Sequence, residues 1–185
     1  MVAHRYWDAC VFLAWLKRES DKVGQCEAAI REAEAGKLVI VTSTLTLAET
    51  LYLVKGEMPV SAETRKKLRD FFENEYILPV ELDRLTAERA QDVIWDHSVR
   101  HKDAVHVATA LVWREILNIE QLDTFDGPLA TLSRKIDGLR IGEPNHPEDL
   151  IGHAHSHGAD GAGPGQVPGS LEGEGTHESS SQAPQ

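Results

Sequence analysis

Short apolar runs alternate along this chain with segments of helical periodicity, and that alternation limits the possible folds more than any other feature. Ala3 to Trp7, Leu38 to Val41, Tyr76 to Val80, Ile119 to Phe125 and Leu139 to Ile141 read as strands. Each of the first three is followed by two helical segments and the fourth by one. Antiparallel neighbours could be joined by tight turns, whereas parallel neighbours need crossovers, usually helical. The pattern therefore predicts an α/β fold of three layers, with a central, mainly parallel sheet and helices on both faces.

Punctuation residues set the expected boundaries. A helix from Lys22 to Ala35 stops at Gly36, and one beginning at Ser43 runs to about Lys55 and ends at Gly56. Ser61 caps a helix whose Glu63 to Asn74 segment separates Leu68, Phe71 and Phe72 from Arg65, Lys66, Lys67 and Arg69. Pro79 suits an edge strand, because proline cannot donate to a ladder on both sides. His101-Lys102 should break the helical stretch between Leu85 to Arg100 and Asp103 to Ile116. Asp8 and Asp126 each stand where a strand gives way to a helix.

Composition changes abruptly near Pro144. Residues 1 to 144 hold the apolar side chains of a single domain, while residues 145 to 185 are rich in Gly, His, Ser and Pro and should form a disordered tail. Six carboxylates and no Lys or Arg lie in that tail, so about half of the net charge of -11 belongs to it. An acidic total counts against simple nucleic-acid binding, which draws on counterion release by basic residues. It counts less against a nuclease, whose carboxylates are neutralised by bound cations. Two cysteines, Cys10 and Cys26, give neither a disulfide framework nor a zinc site, which fits a reducing cytoplasm. No apolar run approaches the roughly 18 residues of a membrane span, so a cytoplasmic protein without membrane contact is expected.

Four acids stand out. Asp8 and Asp126 would lie beyond the carboxyl ends of two strands, where ligands gather in open α/β sheets. Each could equally be a helix cap, a position that favours Asp. Glu49 falls in a helix made apolar on most sides by Leu45, Ala48, Tyr52 and Leu53, where an unpaired carboxylate would be costly. It needs a cation or a gap to water. Asp103 is similarly placed among Ala104, Val107, Ala108 and Leu111, with an N-cap as its alternative role.

Four fragments carry these acids: Asp8 after the first strand, Ser43-x-x-Thr46-x-x-Glu49, Asp103-Ala104-x-His106-x-Ala108-Thr109-Ala110, and Thr124-x-Asp126. In this order and at these separations they resemble the PIN-domain nucleases, and more narrowly the VapC-type toxins of toxin–antitoxin pairs, over most of residues 1 to 142. The resemblance implies an α/β/α PIN-like fold and an endoribonuclease that hydrolyses RNA phosphodiester bonds with Mg²⁺ or Mn²⁺. It implies Asp8, Glu49, Asp103 and Asp126 as catalytic, metal-binding acids, supported by the hydroxyls of Ser43 or Thr46 and of Thr124. It further implies an antitoxin partner and a homodimer, the latter also suggested by apolar surplus on the helices after Ser43 and Ser61. Cys10 departs from the Ser or Asn common at its position, and the His- and Gly-rich tail is foreign to the domain. Two other readings stay open: a housekeeping RNA-processing nuclease, and a PIN-like interaction module without catalysis. Carboxylate oxygens are hard ligands, as Mg²⁺ and Mn²⁺ prefer.

Other features have simpler readings. Arg65, Lys66, Lys67 and Arg69 could steer RNA, although such a face is commonly just solvated. His106, one turn beyond Asp103, reads as a satisfied structural histidine or as a contact to substrate or metal. Asp123 should point away from Thr124 and is a reserve ligand only. His153, His155 and His157 could bind a transition metal adventitiously.

Overall fold

The computed structural model describes residues 2–50, 61–136 and 138–144. Five strands, β1 (Ala3–Trp7), β2 (Leu38–Ser43), β3 (Ile77–Val80), β4 (Gln121–Asp123) and β5 (Arg140–Gly142), form one sheet in the order β3-β2-β1-β4-β5. Every pairing is parallel. Helices α1 (Ala9–Leu16) and α2 (Val23–Glu34) follow β1, while α3 (Thr44–Glu49) and α4 (Ala62–Phe72) follow β2. Next, α5 (Arg84–His97) and α6 (His101–Leu117) lead from β3 to β4, and α7 (Gly127–Ala130) with a 3₁₀ turn (Thr131–Arg134) leads to β5.

Alternation along the central strands divides the apolar residues between two cores. Tyr6 and Val41 face one core with Ala90 and Val93 of α5, Ala104, Val107 and Ala108 of α6, and Leu129 of α7. Trp7 and Ile40 face the other, with Val11 and Phe12 of α1, Cys26 and Ile30 of α2, and Phe72 of α4. A parallel sheet covered on both faces is the physical outcome, because each face of its strands must leave water.

Local signals explain most boundaries. Ser43, Ser61 and Asp83 cap α3, α4 and α5 through side-chain oxygens that accept from Leu45 N, Thr64 N and Thr86 N. Gly36, with φ 70°, ends α2 in the left-handed conformation that suits glycine. Pro79 lies in β3, an edge strand. The helical break near residue 100 lies elsewhere than the sequence suggests. Ser98, at φ 55°, ends α5, and His101 and Lys102 are the first residues of α6 instead of a separator. Arg100 is the N-cap residue, so Asp103 sits inside the first turn and is no cap. The expected β4 is also shorter, since Thr124 and Phe125 have already left the sheet.

The continuation of the helix after Ser43 to Lys55 and Gly56 falls on residues 51–60, and the acidic tail on 145–185; both expectations lie outside the described residues. Among the described residues no helix is long and apolar enough to cross a membrane.

The strand order also locates a crevice on physical grounds. From β1 the chain moves outward to β2 and β3, then returns to place β4 on the other side of β1. Connections leaving β1 and β4 thus part in opposite directions and open a gap beyond their carboxyl ends.

Candidate active site

Asp8 begins the loop after β1, and Asp126 follows β4 by three positions. These two acids, together with Glu49 from the end of α3 and Asp103 from the first turn of α6, line one cavity of about 290 Å³. Ala9, Cys10, Leu13, Lys102 and His106 complete its wall. Four elements distant in sequence therefore bring the four acids singled out above to the same place.

Asp8 and Asp126 cap helices as well as facing the cavity. Asp8 Oδ1 accepts from Cys10 N at 3.0 Å and Val11 N at 3.1 Å, which orients the carboxyl at the start of α1. Asp126 Oδ1 accepts from Leu129 N at 3.1 Å, and its own N–H donates to Thr124 Oγ1 at 2.9 Å. Capping and a ligand role are thus compatible, because a carboxylate has more lone pairs than the cap uses.

The Cys10 thiol donates to Asp8 Oδ1 at 2.8 Å and accepts from Phe125 N at 3.1 Å. Sulfur therefore makes the supporting hydrogen bond that a Ser or Asn would make. Burial and the neighbouring Asp8 charge push the thiol's pKa up and keep it protonated as a donor. Thr124 lies 3.4 Å from Cys10 Sγ and also helps hold the Asp8 carboxylate. Ser43 and Thr46 play a different part: the Ser43 hydroxyl caps α3, and Thr46 pairs with Thr42 at 2.7 Å. Neither lines the cavity; both shape the β2–α3 corner at the start of the helix that carries Glu49.

Glu49 carries its own cations. Lys102 Nζ lies 3.1 Å from Oε1, and His106 Nε2 lies 2.8 Å from Oε2. Burial alone would raise the Glu49 pKa, but bonding to His106 and Lys102 outweighs it and lowers the value. An ionised carboxylate only accepts, so His106 Nε2 must carry a proton. On the other side of the ring, Nδ1 lies 2.9 Å from the Tyr6 hydroxyl, which in turn accepts from Ser43 N at 3.1 Å. His106 is buried, and this chain fixes its ring. Neither Tyr6 nor the Lys102 contact is foreseeable from the sequence, because only the docking of α6 against α3 and β1 brings them to Glu49.

Elsewhere in the cavity the charges are less balanced. Burial raises the Asp103 pKa, and the Asp126 and Asp8 carboxylates add to the rise. Asp8 is raised chiefly by burial as well, against the lowering influence of His106, Cys10 and Thr124. Among the described residues, no three Asp, Glu, His or Cys side chains converge tightly enough to enclose an ion. Mutual repulsion among carboxylates and their engagement by helix N–H groups, Lys102 and His106 account for that spacing. The donor set itself, four carboxylates around a space large enough for water, is of the kind that suits a hard divalent cation retaining water ligands.

Asp123 is excluded from this group. It is fully buried behind β4, where it accepts from Arg5 Nη2 at 2.7 Å, Trp7 Nε1 at 2.8 Å and Gln121 Nε2 at 2.5 Å. The reserve-ligand reading gives way to a structural ion pair. The basic face of α4 is partly self-neutralised, with Lys66 paired to Asp70 and Lys67 to Glu63.

A family profile described as PIN domain matches residues 5–135. The chain belongs to the PIN domain family. Its PIN domain is similar to the crystal structure of Mycobacterium tuberculosis VapC20, a toxin described as cleaving the sarcin-ricin loop. The two share 18% sequence identity at a TM-score of 0.52, over 68% of this chain and 92% of that one. At that identity the likeness speaks for the fold. A search of curated proteins returned no significant match.

Proposed function

We propose that this PIN domain is a divalent-metal-dependent endoribonuclease that hydrolyses RNA phosphodiester bonds, and that it is the toxin of a two-gene module. One observation carries the reading: four carboxylates from four separate elements line a single cavity at the sheet's switch point in a PIN domain. Asp8, Glu49, Asp103 and Asp126 would hold Mg²⁺ or Mn²⁺ there. Such an ion, when bound, lowers the pKa of the attacking water and stabilises the leaving oxygen.

The chain's own groups prepare the site. Asp8 and Asp126 are locked by helix caps, so two acids stand at fixed positions with little freedom to lose. Cys10 and Thr124 bridge the loops after β1 and β4 and keep these acids at a set distance. His106 holds Glu49 from the buried side. Asp103 adds a charge beside Asp126 and Asp8, whose carboxylates oppose its ionisation. An antitoxin segment covering this acidic cavity would block access to it, and a homodimer and a cytoplasmic setting complete the proposal.

Asp103→Asn tests it, since the change keeps size while removing one charge from the cluster. RNA cleavage should be abolished, metal-free stability should hold or rise because repulsion falls, and Mn²⁺ should stabilise the variant less than the parent. Full cleavage by the variant, or equal stabilisation of both proteins by Mn²⁺, would remove Asp103 from the site and undo the reading.

A further inference from the structure

Among the described residues, Glu49 is the one acid of the cavity whose two oxygens are both met by cationic or ring N–H groups. The two partners differ in how firmly they are held. His106 is 3% exposed and tied on its far side to Tyr6, which is itself tied to Ser43 N. Lys102 has a side chain 54% exposed, and Glu49 is its ion-pair partner among the described residues. Glu49 has lone pairs to spare, but a divalent ion on Oε1 would repel a cation held at the same oxygen, so the more loosely held partner should withdraw. His106 cannot do so without disturbing the core, whereas a lysine on a four-carbon stem can swing away at little cost.

Among the described residues Lys102 is also the only Lys or Arg lining the cavity, beside four carboxylates. An ion pair whose lysine stands half in solvent is screened on that side, so the contact with Glu49 gives no strong structural reason for a lysine at this mouth. RNA approaching the acids brings further negative charge, and a mobile ammonium displaced from Glu49 would be positioned to meet it. Its three rotatable N–H donors suit a phosphate oxygen without demanding a fixed approach angle.

We propose, building on the nuclease reading above, that Lys102 is a tethered cation: it neutralises Glu49 until a divalent ion takes its place, and the released ammonium then contacts a substrate phosphate. The proposal makes metal and Lys102 competitors for Glu49 Oε1 and makes Lys102 and metal partners in holding RNA. Removing the ammonium should thus move two measured quantities in opposite directions. A lysine that only contacts RNA, or only pairs with Glu49, would move one of them.

The experiment compares the parent with Lys102→Met, Lys102→Gln and Lys102→Arg. Thermal stabilisation by Mn²⁺ without RNA gives the half-saturating metal concentration, and initial rates on a single-stranded RNA at saturating Mn²⁺ give KM. Both neutral variants should need less Mn²⁺, by about two- to fivefold, the range for an ion pair screened by solvent on its lysine side. Their KM should rise while Lys102→Arg stays near the parent in both measurements. An unchanged or higher Mn²⁺ requirement in a parent that does bind Mn²⁺ and cleave RNA would overturn the tethered-cation proposal and leave the nuclease reading standing. An unchanged KM would do the same. A parent that is neither stabilised by Mn²⁺ nor active on RNA would overturn both.

Discussion

Two acids flank the end of β4, Asp123 fully buried and Asp126 partly exposed, and the protein treats them in opposite ways. Asp123, on the sheet, is surrounded by Arg5, Trp7 and Gln121, with Arg140 reaching Gln121 behind them. Asp126, three residues later, caps α7, faces Asp103 across the cavity and has no protein cation among its described partners. The sequence already ranks Asp126 above Asp123, because Asp123 should point away from Thr124, but it does not show what either acid meets. The difference teaches that burial alone does not single out a candidate ligand; convergence with other acids on one cavity does.

The contrast breaks most sharply at Arg5. Arg5→Met leaves Asp123 buried and unpaired, and removal of one partner from a buried pair costs about 3–5 kcal/mol. Urea unfolding at pH 7 should show a loss of that order, in contrast to the unchanged or greater metal-free stability expected for Asp103→Asn. Equal stability of Arg5→Met and the parent would mean that the Asp123 side is no more dependent on its counter-charge than the cavity is.

A smaller effect follows from pH. Burial raises Asp123 to about 6 despite the nearby Arg5, and burial also raises Asp8 and Asp103. An acid whose folded pKa lies above its unfolded value binds its proton more tightly when folded, so stability is gained as pH falls through that window and lost as pH rises. In chelator, the free energy of unfolding should therefore rise between pH 7 and pH 5, by an amount on the order of 1–3 kcal/mol. Asp123→Asn should flatten most of this slope, because Asp123 is the group placed within the window. A slope that Asp123→Asn leaves untouched would assign the titration to the cavity acids instead.

The smallest change is expected at Cys10, where the two sides of β4 touch through the Thr124 and Phe125 loop. Cys10→Ser keeps a donor to Asp8 and an acceptor for Phe125 N, so stability should shift by less than about 1 kcal/mol. RNA cleavage should stay within a few-fold of the parent. Cys10→Ala, which removes the donor to a buried carboxylate, should be the worse of the two in both measurements.

Local sequence determined the element order, the parallel architecture, the caps at Asp8, Ser43 and Ser61, the edge position of Pro79 and the four acids worth watching. These depend on periodicity and on bonds spanning two to four residues, which any short window contains. The start of α6 was less legible, because a serine in the left-handed conformation at residue 98 carries no sequence mark of the kind that glycine gives at residue 36. Tertiary structure alone decided which acids have partners. Arg5 meets Asp123 across 118 positions, and His106 meets Tyr6 across 100 and Glu49 across 57. Whether a buried charge is balanced depends on side chains delivered by separate strands and helices, and no local pattern encodes their meeting; only the packing of α6 and β4 against β1 brings them within hydrogen-bond reach.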